Sequence, residues 1–257
     1  MSTIRNLLEK IQVPIEEKGH LSNSQIGMLL RCGAQYEFRY IKGIKIPPPG
    51  AFLQGSSYHK GIEFGYQFKK SNKKEPEIMR VKEEADQLWN ERIRAEGEID
   101  WGGNPGQLKD EVMNLLGVYV ARTMPLITPA EIEVRDELKV GDIPFVRIRD
   151  LILEDGSVID HKLASNKYSE NAKNSDLQSL AYTYPNGGKF NYHIALKKRK
   201  EIQIVDCSRT KDEVDWWAEL VKKVAKQIQL GIFPPNPTGY FCNEKWCGWY
   251  HLCHERK

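Results

Sequence analysis

The stretch GSVIDHKLAS (156–165) places Asp160 and Lys162 two residues apart at the end of an apolar, strand-like run. On a strand, residues two apart share one face, and charge on a core strand is costly unless it is paired or binds a metal. Another acid, Asp150, follows the apolar half of the preceding run, PFVRIRDLIL (144–153). The turn between the runs decides whether the two acids meet. A two-residue Asp155-Gly156 turn would pair Asp150 with His161 and leave the carboxylates on opposite faces. A three-residue loop, Glu154-Asp155-Gly156, would pair Asp150 with Asp160. That loop needs a left-handed residue at its last position, where Gly156 stands. A one-residue slip flips every side chain. We expect the three-residue loop, with opposed Cβ atoms about 4.5–5.5 Å apart, a spacing that lets two carboxylates share a hard cation such as Mg²⁺. The alternative is a solvated hairpin with its charges in water; Val158 and Ile159, apolar on both faces, count against it.

Outward from this hairpin the period stays at two. EIEVRDELKV (131–140) precedes it, and FNYHIALK (190–197) with EIQIVDC (201–207) follows as a second strand pair around a basic tip. Helical periodicity covers 22–42, with caps at Ser22, Asn23 or Ser24 and a stop at Gly43. It returns at about 56–70, 77–97, 106–123, 173–184 and 211–230. IPPPG (46–50) is a break, GEIDWGGNPG (97–106) a loop and FPPNP (233–237) a linker. The expected fold is mixed α/β in one domain, 1–257: a mainly helical part over 1–130, a central sheet over 131–210, and a helix with a cysteine-rich tail over 211–257.

The bulk numbers bound the function. No apolar run approaches the roughly 18–20 residues of a membrane span, and MSTIRNLLEKIQVPIEEKGH (1–20) lacks a secretory apolar core. We therefore expect a cytoplasmic protein with no membrane partner. Net charge is +3, from 38 basic and 35 acidic residues, too small to argue for nucleic acid without clustering. The densest cluster, Lys197-Lys198-Arg199-Lys200, reads equally as a solvated hairpin tip or a phosphate contact.

Three of the five cysteines, Cys242, Cys247 and Cys253, fall within the last 16 residues. Crowded thiols in a reducing compartment point to a metal or cluster rather than disulfides. Three local ligands need a fourth, since iron–sulfur clusters take four thiolates. Cys32 is the candidate and Cys207 the competitor. A tetrahedral zinc site completed by His251 or His254 is the alternative.

The order of motifs resembles the PD-(D/E)xK nucleases, and within them the RecB-like branch. Asp150 followed by Asp160-His161-Lys162 is similar to the signature itself. SNSQIGMLLRCGAQYEFRY (22–40) resembles the branch's N-terminal helix, GSSYHKGIE (55–63) its G-x-x-x-H-x-x-x-E helix, and DLQSLAYTY (176–184) its Q-x-x-x-Y motif. Residues 70–125 carry no match. The resemblance implies a restriction-endonuclease-like mixed central sheet flanked by helices, and hydrolysis of phosphodiester bonds. It implies a Mg²⁺ or Mn²⁺ ion held by His59, Asp150, Asp160 and the backbone carbonyl of His161, with imidazole tilting the preference toward Mn²⁺. Lys162 would orient water, Gln178 would hold Lys162 or a phosphate, and Tyr182 would contact the strand backbone. Arg149 departs from the apolar residue usual before the acid, and Arg147 from the usual glycine; Arg149, Lys197, Lys198 and Arg199 are candidate phosphate contacts, beside Gln178 and Tyr182. The substrate implied is DNA, single-stranded or with free ends, cut as an exonuclease. An RNA nuclease and a non-catalytic module binding DNA ends or a partner protein are the alternatives. The tail resembles the iron–sulfur subgroup, with AddB-type, CRISPR-adaptation and phage-encoded members. That implies a 4Fe–4S cluster on Cys32, Cys242, Cys247 and Cys253 as a structural clasp. Four residues separate Cys242 from Cys247 where many members have two. Partner proteins in repair, CRISPR or replication systems are also implied.

Overall fold

Leu153 N donates to Ser157 O at 2.9 Å, and Gly156 closes the three residues between them at φ +78°. The loop expected from the sequence thus joins β3 (Ile143–Leu153) to β4 (Val158–Ala164). Its register sets Leu151 against Ile159 and Ile152 against Val158; continued by one residue, it sets Asp150 against Asp160. Asp155 locks the turn by accepting from Ser157 N at 3.0 Å and Oγ at 2.6 Å. These relationships come from a computed structural model, which describes residues 19–254. Nearly all of the stretch 1–20 read above for a secretory core therefore lies outside the described residues.

The chain divides into two compact units. One comprises Pro47–Arg135 and Ile148–Lys211, the other the described residues up to Ile46, Asp136–Arg147 and the chain from Asp212 onward.

The first unit holds the hairpin. β4 pairs in parallel with β5 (Phe190–Leu196), which pairs antiparallel with β6 (Glu201–Asp206), so the sheet is mixed. β5 is almost wholly buried, which explains its near-continuous apolar run. Three helices cover this sheet: α3 (Gly50–Asn72), α4 (Ile78–Glu96) and α5 (Pro105–Arg122). Tyr58, Ile62 and Tyr66 of α3 share a core with Trp89 of α4, Leu116 of α5, and Leu151, Ile159 and Ala195 of the sheet. Each large side chain buried this way contributes about 1.5–3 kcal/mol. Gly61 makes the packing of α3 on α5 close: a Cβ there would meet Leu116 at 2.8 Å. α3 begins six residues before the expected 56, because Pro49 supplies its N-cap and Gly50 N bonds Asp100 O at 2.7 Å. The helix expected over 173–184 is split. Asp176 accepts from Gln178 N at 2.9 Å and Ser179 N at 3.1 Å, and so starts a separate α6 (Gln178–Thr183).

In the second unit a two-residue strand, β1 (Leu21–Ser22), pairs in parallel with Phe145 and Val146 of β3. β2 (Pro129–Val140), whose last residues belong here, pairs with β3. α1 (Asn23–Arg31) follows β1, and the single helix expected to 42 is broken after it. Cys32 is extended, at φ −164° and ψ 114°, before a short α2 (Gly33–Tyr36) and a π turn over Glu37–Ile41. The cause lies far along the chain. Gly33 presses on the Phe233-Pro234 backbone so closely that a Cβ would sit 2.6 Å from Phe233 C. Asn236 Nδ2 donates to Arg31 O at 3.1 Å, taking over a carbonyl at the end of α1. α7 (Lys211–Gln229) buries Val214, Trp217, Val221, Val224 and Ile228, one helical stripe. Trp217 meets Phe145 edge-on at 5.2 Å. A short α8 (Tyr250–His254) ends the described chain. Among the described residues no helix is long and apolar enough to cross a membrane.

Candidate active site

The middle of α3 carries His59 to the end of the hairpin. Its Nδ1 lies 3.1 Å from Asp150 Oδ2. The same oxygen accepts from the backbone N–H of His161 at 2.8 Å and is 3.1 Å from His161 Nδ1. Glu133 joins them from β2: ligand atoms of His59, Glu133 and Asp150 all lie within 4.8 Å of one another. Glu133 has φ +50° inside a strand, a left-handed backbone that costs a non-glycine residue of order 1–3 kcal/mol. Sequence reading passed over Glu133 because EIEVRDELKV alternates as any half-solvated strand does. Its only signal is the backbone itself.

Asp160 is 1% exposed and is held from two sides. Lys162 Nζ is 2.6 Å from Oδ2 and Gln178 Nε2 donates to Oδ1 at 2.7 Å. Tyr182, one turn along α6, hydrogen-bonds Gln178. The sequence expected Gln178 to hold Lys162 or a phosphate; in the structure its amide holds the acid that pairs with Lys162.

Burial and mutual charge set the electrostatics of this cluster. Burial, then the charge of Asp150, pushes Glu133 up to about 7. Burial raises Asp160 to about 6 although Lys162 opposes it. Burial alone would lower His59, but the charge and hydrogen bond of Asp150 lift it to about 9. Asp150 is itself held well below the carboxylate range: burial works against ionisation, and His59 and His161 outweigh it. Three carboxyl groups crowd one imidazole, and two of them resist ionising. A bound cation would supply the compensating charge, and oxygen donors with one imidazole suit Mg²⁺ or Mn²⁺. The residues present therefore fit a divalent ion.

Behind the cluster lies a buried polar chain. Tyr119 O–H is 2.8 Å from His161 Nε2, 3.0 Å from His193 Nδ1 and 3.0 Å from Tyr66 O–H. The sequence had given His161 only a backbone role.

A family model described as the PD-(D/E)XK nuclease superfamily matches residues 20–254. This chain belongs to that superfamily. Among solved structures, that of a "putative exonuclease" from Eubacterium rectale superposes with a TM-score of 0.58 at 11% identity, covering 97% of this chain and 92% of that one. At such identity the likeness is one of fold. The structure of SSO0001 is 14% identical, covers 99% of this chain and 95% of that one, and has a TM-score of 0.42. No curated protein matches the chain.

The remaining candidate residues of this PD-(D/E)XK nuclease are placed as follows. Arg149 is half-buried and adjoins Asp150 on β3, so alternation turns it to the opposite face. Lys197 is tied to Gln54 Oε1 and lies 3.9 Å from Glu111. Lys198 donates to Asn166 Oδ1 at 3.3 Å, and Arg199 lies 3.8 Å from Glu201. In the second unit, Cys32, Cys242, Cys247 and Cys253 all line one small cavity, with His254 at its wall. Gln35 Nε2 points to Cys247 Sγ at 3.2 Å and Asn236 N to Cys32 Sγ at 3.4 Å. Cys207 is buried at the end of β6 in the other unit.

Proposed function

We propose that this chain is a divalent-metal-dependent deoxyribonuclease that works as an exonuclease on single-stranded or frayed DNA ends. Superfamily membership gives hydrolysis of a nucleic-acid phosphodiester. The observation that carries the metal dependence is the meeting of His59, Glu133 and Asp150 within 4.8 Å, beside the Asp160–Lys162 pair.

His59, Glu133 and Asp150 would hold Mg²⁺ or Mn²⁺, with Asp160 and the carbonyl of His161 completing the set. When bound, such an ion polarises the phosphoryl oxygen and makes water nucleophilic near neutral pH. Lys162 is cationic at neutral pH: burial is the largest single influence and opposes its charge, but Asp160 and Asp150 together outweigh it and raise its pKa. It therefore serves as a fixed positive charge and donor beside the phosphate. Gln178 keeps Asp160 aimed at Lys162. Preference for DNA and for ends rests on the resemblance to the RecB-like branch.

The cysteine cavity supports a 4Fe–4S cluster on Cys32, Cys242, Cys247 and Cys253. Amide donors to two sulfurs favour thiolates. Among the described residues no three cysteine or histidine ligand atoms of the tail lie within 4.8 Å of one another. A zinc ion, at about 2.3 Å from each sulfur, would need a tighter nest.

The test is digestion of 5′- and 3′-end-labelled single strands with Mn²⁺, with a circular strand and an RNA of the same sequence alongside. Chelator-sensitive loss of the linear DNA, with the circle spared, is the expected result. Intact linear DNA under Mn²⁺ rejects the deoxyribonuclease reading, and a cut circle rejects end dependence.

A further inference from the structure

We propose that a lysine-lined cleft at the C-terminal end of α3 is a backbone track for the nucleic-acid strand that passes the catalytic site. The inference rests on the nuclease reading and adds a path to it. The cleft measures about 450 Å³ and is lined by Lys69, Lys70, Lys73 and Lys74, with Pro129 and Ala130 of β2 opposite. Glu75 and Glu154 also line it, so lysines outnumber acids two to one.

A helix end draws cations on its own account, because its last carbonyls carry partial negative charge. That accounts for Lys69, which bonds Met124 O at 2.9 Å and pairs with Glu75 at 2.7 Å. It also accounts for Lys70, whose Nζ reaches Ala130 O. It does not account for the next two. Lys73 is the C-cap, left-handed at φ +55°, and Lys74 lies beyond the helix, its Nζ 5.7 Å from the Phe68 ring centroid. Among the described residues, Lys70, Lys73 and Lys74 make no ion pair. With Glu75 taken by Lys69, three cations are thus gathered at one cleft against a single further lining acid, Glu154.

Two elements join this cleft to the acidic cluster. Ala130, in the cleft wall, is three residues from Glu133 on β2, about 10 Å at the strand rise. Lys70 is eleven residues from His59 on α3, about 16 Å at the helical rise. A phosphate in the site would put others of the same strand against the lysines about three to five positions on, at ~3.4 Å per stacked nucleotide. The charge also fits. Glu133, Asp150 and Asp160 repel a phosphate backbone locally, and the cleft attracts it a short way along.

The experiment measures binding of a labelled oligodeoxythymidine of about 20 nucleotides, with Ca²⁺ as the divalent ion, over a salt series. The variants are K70Q/K73N/K74Q and K73N/K74Q. The double variant spares the Lys70 contact, and asparagine tolerates the left-handed backbone at position 73. The triple variant should flatten the slope of log K against log salt by about 2, at ~0.7 per lost phosphate contact, and the double by about 1.4. Both should cleave a thymidine dinucleotide, too short to reach the cleft, at the wild-type rate. Unchanged slopes in variants that melt like wild type overturn the track while wild-type cleavage leaves the nuclease standing. Equal loss on dinucleotide and long strand overturns it also. Wild-type protein that neither binds nor cuts DNA or RNA overturns both.

Discussion

His59 Nδ1 and Asp150 Oδ2 are 3.1 Å apart, a contact from the middle of α3 to β3. The histidine side chain keeps 31% of its surface while the acid's is 10% exposed. With its proton held to about pH 9, the imidazolium occupies the electrostatic role of the cation in the metal-free protein. Metal binding at this site would therefore exchange one source of positive charge for another.

That exchange sets a pH dependence. His59, Glu133 and Asp160 are all raised, to about 9, 7 and 6. Each binds protons in the fold at a pH where the unfolded residue has lost them, so metal-free stability falls as pH rises through these values. The His59 contribution is complete below about pH 6.5 and gone above about 9. Mn²⁺ affinity should rise between pH 6 and 9, with protons released, and Mn²⁺ should raise the melting temperature more at the alkaline end. Calorimetry in buffers of different ionisation heat measures both; affinity that is flat across this range would contradict the ligand set.

Lys162→Met should lower cleavage by about 10²–10³ and also destabilise the fold by about 3–5 kcal/mol, since it strands the buried Asp160 carboxylate. Asp160→Asn combined with Lys162→Met should restore most of the stability and none of the activity. Chemical denaturation and a nicking-free cleavage assay separate the two effects; a double variant as unstable as the single would show that the pair is not the source of the loss.

Glu133→Gly should relieve the left-handed backbone, leaving stability unchanged or improved by up to about 1 kcal/mol, while Mn²⁺ affinity falls. Glu133→Gln should lose the affinity without the gain. Equal metal affinity in wild type and both variants would remove Glu133 from the site.

Protein purified without oxygen should be brown, absorbing broadly near ~400 nm, with bound iron and sulfide. Cys32→Ser should bleach it and lower its melting temperature. Colourless protein holding one zinc, lost on replacement of His254 but not of Cys32, would replace the cluster with a local zinc site and leave the nuclease assignment untouched.

The hairpin was legible because a period of two and one glycine at the end of a loop fix a register, and the register fixes which acids meet. The mixed sheet and its covering helices were legible for the same kind of reason. Glu133 was not, because a left-handed glutamate looks like any other in a strand of alternating charge. Nor was the break at Cys32. The apolar stripe of α1 continues through it in sequence, and what interrupts it is backbone contact with Phe233-Pro234 about 200 residues later.

The hydroxyl of Tyr119 has one hydrogen to give and three polar neighbours, so the tautomers around it can be counted. Burial, and for His193 also the neighbouring His161, keeps both imidazoles neutral, each with a single N–H. With His161 Nδ1 donating to Asp150, its Nε2 is bare and takes the Tyr119 hydrogen. Tyr66 and His193 Nδ1 must then both donate to Tyr119. The charge on Asp150 therefore selects which nitrogen of His193 carries hydrogen, three hydrogen bonds away.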